Sequence, residues 1–172
     1  MDLRAFIRDI PDFPTPGVVF KDISPLLLDA PALDAAVNGL AELAEPLGID
    51  FVVAAEARGF ILGGALSRQL GAGFVPARRP GKLPHQTVSA EYALEYGVNA
   101  LEVHADALAG GAAVLVHDDL LATGGTANAL CELVEKLGGR VAACAFLIEL
   151  SFLGGRERLA PRPVLALIDY PA

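Results

Sequence analysis

Apolar runs that stop at a charge or a glycine alternate along this chain with amphipathic stretches, and no other feature limits its fold as much. The alternation is that of repeated βα units, which predicts an α/β fold built on a mostly parallel β-sheet. Strands are read at Phe51 to Ala55, Phe74 to Ala77, Ala112 to Val116, Val141 to Leu147 and Val164 to Ile168, with a further extended stretch at Leu101 to Val103. Helices are read at Ala32 to Ala44, Phe60 to Leu70, Gly125 to Leu137 and Gly155 to Leu159. Leu33, Val37, Leu40 and Leu43 recur close to helical spacing, which predicts the face that packs on the sheet. Two stretches resist this reading. Pro11 to Pro25 holds four of the twelve prolines, and Arg78 to Ala90 is polar, basic and broken by Pro and Gly. Irregular segments of that length in a compact domain are functional or disordered.

The 172 residues suit one domain with a real core, and a hydrophobic fraction of 53% with mean hydropathy +0.48 excludes a disordered chain. The longest uncharged apolar run, Ala107 to Val116, has ten residues, whereas a spanning helix needs about 20, so no membrane segment is expected. MDLRAFIRDI at the start mixes both charge signs and has no apolar stretch, which predicts no secretory leader and a cytoplasmic protein. In that compartment Cys131 and Cys144 are expected to be two buried thiols. Thirteen basic against 21 acidic side chains leave no basic face for nucleic acid. An anionic ligand must therefore be held locally.

One place can do so. The strand Ala112 to Val116 runs into His117, Asp118 and Asp119, then Leu120 to Thr126, and a helix follows. Ligands of open parallel sheets bind beyond the carboxyl ends of the strands, where this turn falls. The small residues Ala122 to Thr126 let the backbone wrap a ligand closely, and the N–H groups that open the helix favour an anion such as phosphate. Two carboxylates just before a phosphate loop repel that ligand unless they accept sugar hydroxyls or meet a metal. A phosphorylated sugar satisfies both halves. His117 alternates to the face opposite Asp118 and is read as packing or as a supporting hydrogen bond.

The string VLVHDDLLATGGT closely resembles the phosphoribosyl diphosphate signature of the type I phosphoribosyltransferases. FPTPGVVFKDISP, EARGF, RRPGKLP, LEYG and ELSFLGGRERLAP are similar, in that order, to strings of the adenine-using branch of that family, so the likeness spans nearly the whole chain. The resemblance implies the type I fold: a central mostly parallel β-sheet flanked by helices, in a single domain 1–172 with a small base-binding hood from segments 1–30 and 150–172. It also implies transfer of the phosphoribosyl group to adenine with release of diphosphate, Mg2+ held mainly by substrate and water, and a homodimer.

Roles follow from the same resemblance. Ala122, Thr123, Gly124, Gly125 and Thr126 cradle the 5′-phosphate, and Asp118 and Asp119 hold the ribose hydroxyls. Arg58 binds the diphosphate after a short turn through Glu56 and Ala57, where a serine is common in place of Ala57. Arg78, Arg79 and Lys82 supply the local positive charge a diphosphate leaving group needs, with Pro80 standing where a further base is common. Glu95 handles the proton of the adenine imidazole ring and Tyr96 closes the site beside it. Phe20 stacks on the purine opposite Leu150, while the backbone of Val19 and Lys21 reads its edge. His85 and His104 receive no catalytic role.

Two other readings compete. A relative acting on xanthine, hypoxanthine or orotate would keep the sugar-phosphate loop and change the hood, and FPTPGVVFKDIS disfavours it. A non-catalytic regulator that senses phosphoribosyl diphosphate needs an added nucleic-acid-binding domain or a basic face, for which 172 residues at net charge -8 leave no room.

Overall fold

The computed structural model describes residues 1–93 and 98–172. The chain opens with a 3-10 turn (Leu3–Phe6) and two antiparallel strands, β1 (Arg8–Pro11) and β2 (Val19–Asp22), followed by helices α1 (Ser24–Leu28) and α2 (Ala30–Ala44). Then come β3 (Phe51–Ala55), α3 (Arg58–Leu70) and β4 (Gly73–Ala77), and an antiparallel hairpin of β5 (Thr87–Ala93) and β6 (Val98–His104). The last part holds β7 (Ala113–Leu121), α4 (Gly125–Lys136), β8 (Arg140–Leu150), α5 (Gly155–Leu159) and β9 (Val164–Tyr170).

Five strands form one all-parallel sheet in the order β4-β3-β7-β8-β9. Both faces are covered, which is why its strands read as unbroken apolar runs. Val52, Leu115 and Leu147 pack with α1, α2 and α3, whereas Val53, Val116 and Phe146 pack with α4 and the β5–β6 hairpin. This is the type I phosphoribosyltransferase architecture, as expected.

The differences from the sequence reading have physical causes. The packing face of α2 is Ala36, Val37, Leu40 and Ala44, and Leu43 is 40% exposed, because closely packed helices leave room for alanines there. Part of the proline-rich start is regular. Asp12, at φ 55°, accepts the Gly17 N–H at 2.8 Å and turns β1 into β2, while Asp22 accepts the Ser24 N–H at 2.9 Å and starts α1. Of the stretch read as an irregular loop at 78–90, Thr87–Ala90 belongs to β5, and Arg78 exchanges backbone hydrogen bonds with Glu102 at 2.9 and 2.7 Å. The strand read as ending at Val116 continues to Leu121, because β8 pairs with it as far as Leu121↔Glu149 and a central strand satisfies its backbone groups only by staying extended. Asp118 and Asp119 are thus strand residues rather than turn residues.

The two ends of the chain are stitched together. Arg4 Nη2 donates to the Asp169 carbonyl at 2.7 Å, and the Lys21 ammonium lies 4.1 Å from the Tyr170 ring centroid while pairing with Asp9 at 2.7 Å. Cys131 and Cys144 are free, buried thiols with sulfurs 3.5 Å apart, as the sequence predicted. Among the described residues no helix is long and apolar enough to cross a membrane.

Candidate active site

The carboxyl ends of β3 and β7 face a cleft with two adjoining lobes. One, of about 210 Å³, is lined by Ala122, Thr123, Gly124, Gly125 and Thr126 together with Arg58, Tyr92 and Asp118. The other, of about 170 Å³, is lined by Glu56, Ala57, Arg58, Arg79, Tyr92, Asn99, Asp118 and Thr126. Arg58, Tyr92, Asp118 and Thr126 border both. A wider cleft of about 650 Å³ lies at the opposite end of β3, among Asn38, Glu42, Glu45, Asp50 and Gln69. Parallel sheets bind ligands at their carboxyl ends, which makes the smaller paired lobes the candidate site.

The loop between β7 and α4 is shaped by glycine. Gly124 has φ +83° and precedes α4 directly, and a Cβ there would lie 3.0 Å from the Gly155 carbonyl oxygen. Gly155, at the start of α5, meets the Ala122 carbonyl more closely than any side chain permits. The loop is therefore clamped from behind while the first turn of α4, Gly125 to Ala127, lines the cleft, and a helix N-terminus in that place suits a phosphate.

The two acids of β7 differ. Asp119 is 1% exposed, and its Oδ2 lies 3.3 Å from Arg58 Nε with no hydrogen-bond partner among the described residues. Asp118 borders both lobes and accepts the Asp119 N–H at 2.9 Å. Burial, and next the Asp119 charge, hold its carboxyl well above the usual carboxylate range. Gly59, in the first turn of α3, makes room for it, since a Cβ there would sit 3.0 Å from Asp118 Oδ1. His117 is buried and neutral, its value pushed down to about 4 by burial. Its Nδ1–H donates to the Ala145 carbonyl at 2.9 Å, the supporting role read from strand alternation.

Arg58 opens α3 and links the cleft to the N-terminal strands, its guanidinium carbon 5.1 Å from the Phe20 ring centroid. Phe13 meets Phe20 edge-on at 5.2 Å. Val19 is exposed at the start of β2, and Leu150 ends β8 paired with Tyr170, the ring beneath Lys21. The Lys21 ammonium is occupied by Asp9 and that ring, so only the backbone of Lys21 is available to a ligand.

Of the loop cations, Arg79 lines the cleft, whereas Arg78 and Lys82 border neither lobe. The Arg78 guanidinium reaches the Lys82 carbonyl at 3.4 Å and Glu56 Oε2 at 3.3 Å. Arg79 donates its N–H to Glu56 Oε1 at 2.6 Å, and this bond first, with Arg78 helping against burial, holds the Glu56 carboxyl below its ordinary value. Glu95 and Tyr96 lie outside the described residues. Sequence reasoning assigned no role to Tyr92, Asn99, Glu56, Gly59 or Gly155. Glu56 alone left a signal there, a carboxylate next to an arginine expected to bind an anion.

A parallel five-stranded sheet whose central strand ends in paired acids and a glycine-bent anion loop defines a phosphoribosyltransferase of the type I class. Residues 27–162 match the family model of the phosphoribosyl transferase domain. An adenine phosphoribosyltransferase of Rubrobacter xylanophilus is 59% identical over 169 residues, 98% of this chain and 91% of that one. The crystal structure of adenine phosphoribosyltransferase from Thermoanaerobacter pseudethanolicus superposes with a TM-score of 0.96 at 50% identity, over 98% of each chain. The enzyme of Saccharomyces cerevisiae, solved with adenine and an imino-altritol bisphosphate, superposes at 0.92 with 36% identity over 96% of each chain. The chain belongs to the adenine phosphoribosyltransferase family.

Proposed function

We propose that the chain transfers the 5-phosphoribosyl group from phosphoribosyl diphosphate to adenine, giving AMP and diphosphate. The observation that carries this reading is the joining of three parts in one cleft, the Ala122–Thr126 loop, Asp118 and Arg58, with buried Asp119 paired to the Arg58 guanidinium behind them. The N–H groups around Gly124 and Gly125 hold the 5′-phosphate. Asp118 on the cleft wall accepts the ribose hydroxyls, with Asp119 beside it holding Arg58. Arg58 and Arg79 meet the diphosphate, whose negative charge grows as its bond to the sugar breaks. Glu95 takes the proton from the imidazole ring as the purine nitrogen attacks, and Tyr96 covers it. Glu95→Gln is expected to slow turnover by about 10² to 10⁴ fold without altering base preference.

The single domain carries the hood at its two ends, with the purine on Phe20 and against Leu150. Val19 and Lys21 are two residues apart in β2, so their backbone groups face the same edge and can read the purine together. Adenine offers an amino donor and a ring acceptor, and hypoxanthine reverses both. Each reversed contact costs about 1 to 3 kcal/mol in a dry pocket.

Magnesium fits as a substrate-borne ion. The Asp118 carboxyl on the cleft wall supplies hard oxygens, yet among the described residues no group of three His, Cys, Asp or Glu could hold a metal. Asp118 would be the protein group that helps to hold it, and diphosphate and water would supply most of its oxygens. When bound it offsets diphosphate charge. The reading further includes a homodimer and a cytoplasmic setting, in which the neighbouring Cys131 and Cys144 stay reduced.

An assay of purine bases with phosphoribosyl diphosphate tests the reading. AMP is expected from adenine, with kcat/KM at least about 100-fold lower for hypoxanthine or guanine. Comparable AMP and IMP formation would remove adenine and leave the transferase.

A further inference from the structure

Glu56 places a negative charge on the wall of the lobe that, in the reading above, receives the diphosphate. Left free, it would oppose the charge that develops there. It is not free. Its side chain is 19% exposed, Oε1 takes the Arg79 N–H at 2.6 Å, and Oε2 faces Arg78 Nη2 at 3.3 Å. Arg78 in turn spans the loop to the Lys82 carbonyl and pairs through its backbone with Glu102 in both directions. Glu102 Oε2 accepts the Gly81 N–H at 3.2 Å, where φ is +78°. The Glu56 N–H bonds the Ala77 carbonyl at 2.9 Å, so the carboxylate stands at the root of this loop. Both carboxylates therefore grip loop N–H groups, and the charges of Glu56 and Arg78 cancel. Arg79 itself lines the cleft with Arg58 and Asp118.

We infer that Glu56 is a positioning residue that, with Arg78 as its counter-ion and Glu102 as a second anchor, sets the 78–82 loop so that Arg79 faces the diphosphate. Within this chain the Arg78 guanidinium is spent inside the loop, on Glu56 Oε2 and the Lys82 carbonyl. This rests on the reading of the lobe as a diphosphate site, and the test separates the two.

Affinity for phosphoribosyl diphosphate and for inorganic diphosphate is measured by titration calorimetry, which needs no base, alongside steady-state constants in both directions. Glu56→Ala is expected to weaken both ligands by about tenfold or more, with the KM values of adenine and AMP within about twofold of wild type. Arg78→Ala should do the same, and the double variant should be no worse than either single one, because the pair acts as a unit. Glu56→Gln keeps the acceptor for Arg79 but loses the counter-charge, so its loss should fall between. Should Glu56→Ala fail to fold, Glu56→Gln and Glu102→Gln carry the same comparison. Unchanged or tighter diphosphate binding in the Glu56 variants, or additive losses in the double variant, would overturn the assignment. A wild type that binds phosphoribosyl diphosphate and makes no AMP would remove the adenine reading and leave this test standing.

Discussion

Around Ala122–Thr126 the constraints come from backbone: a central strand running on to Leu121, a glycine at φ +83°, and a second chain segment at Gly155 pressed against the loop. Across the cleft, β1 and β2 form a two-stranded ribbon whose Phe13, Val18 and Val19 are exposed and whose grip on the body runs through side chains such as Lys21 on Tyr170. Two strands alone are marginal, so this side borrows its order from neighbours. A part that binds a phosphate common to many substrates can be rigid. A part that selects a flat base needs only a stacking ring and a readable edge, which a thin ribbon supplies.

The contrast can be broken most severely at the loop. Gly124→Val puts a branched side chain into the left-handed region and against the Gly155 carbonyl. Phosphoribosyl diphosphate binding by calorimetry should fall by more than about 100-fold. Retained affinity would mean that the loop is not the phosphate site.

Next comes Asp118→Asn, which should lower kcat/KM by about 100-fold or more while raising the thermal midpoint. The folded carboxyl is raised above its ordinary value of 3.8. The stability it contributes is full below that value and is lost as pH rises through the folded one. Asn cannot ionise, so the variant's advantage should widen from pH 4 to pH 8, each kcal/mol appearing as about 2 to 4 °C. A midpoint below wild type at pH 8 would contradict the burial argument.

On the ribbon side the expected effects are smaller and confined to the base. Phe20→Leu should raise the adenine KM by about 3 to 10 fold, from loss of ring stacking, and leave that of phosphoribosyl diphosphate unchanged. An equal rise in both would show that the two regions are not separable.

The smallest effect concerns Asp22. The Ser24 hydroxyl first, then Arg8 and the Ser24 N–H, lower its carboxyl to about 2. Its stabilising contribution is present above the unfolded value of 3.8 and is lost as pH falls toward 2. Amide exchange in β2 should speed up over that interval in the wild type, and Asp22→Asn should be fast and flat across it.

Strands buried on both faces were legible because they cannot hide their composition: β3 lies at Phe51–Ala55 as read, and α5 at Gly155–Leu159. The end of β7 was not, since acids normally signal a turn and only the pairing with β8 keeps them extended. β5 carries Thr, Ser and Glu in a strand that only its partner β6 reveals. In the site, the glycine loop and the acids announced themselves through residue type. The burial of Asp119 and the service of Glu56 to Arg79 depend on neighbours 61 and 23 positions away, which no local pattern encodes.

Gly155 extends the meaning of the clamp behind the loop. It offers no polar group to a ligand and stands 31 positions beyond Gly124, yet a single added carbon would have to push Ala122 aside. A map of tolerated substitutions for this protein will therefore not match a map of ligand contacts. Intolerance should run from the loop through Gly155 into α5, while exposed ribbon residues such as Val18 accept change. Scanning such tolerance would trace the mechanical frame of the site rather than its chemistry.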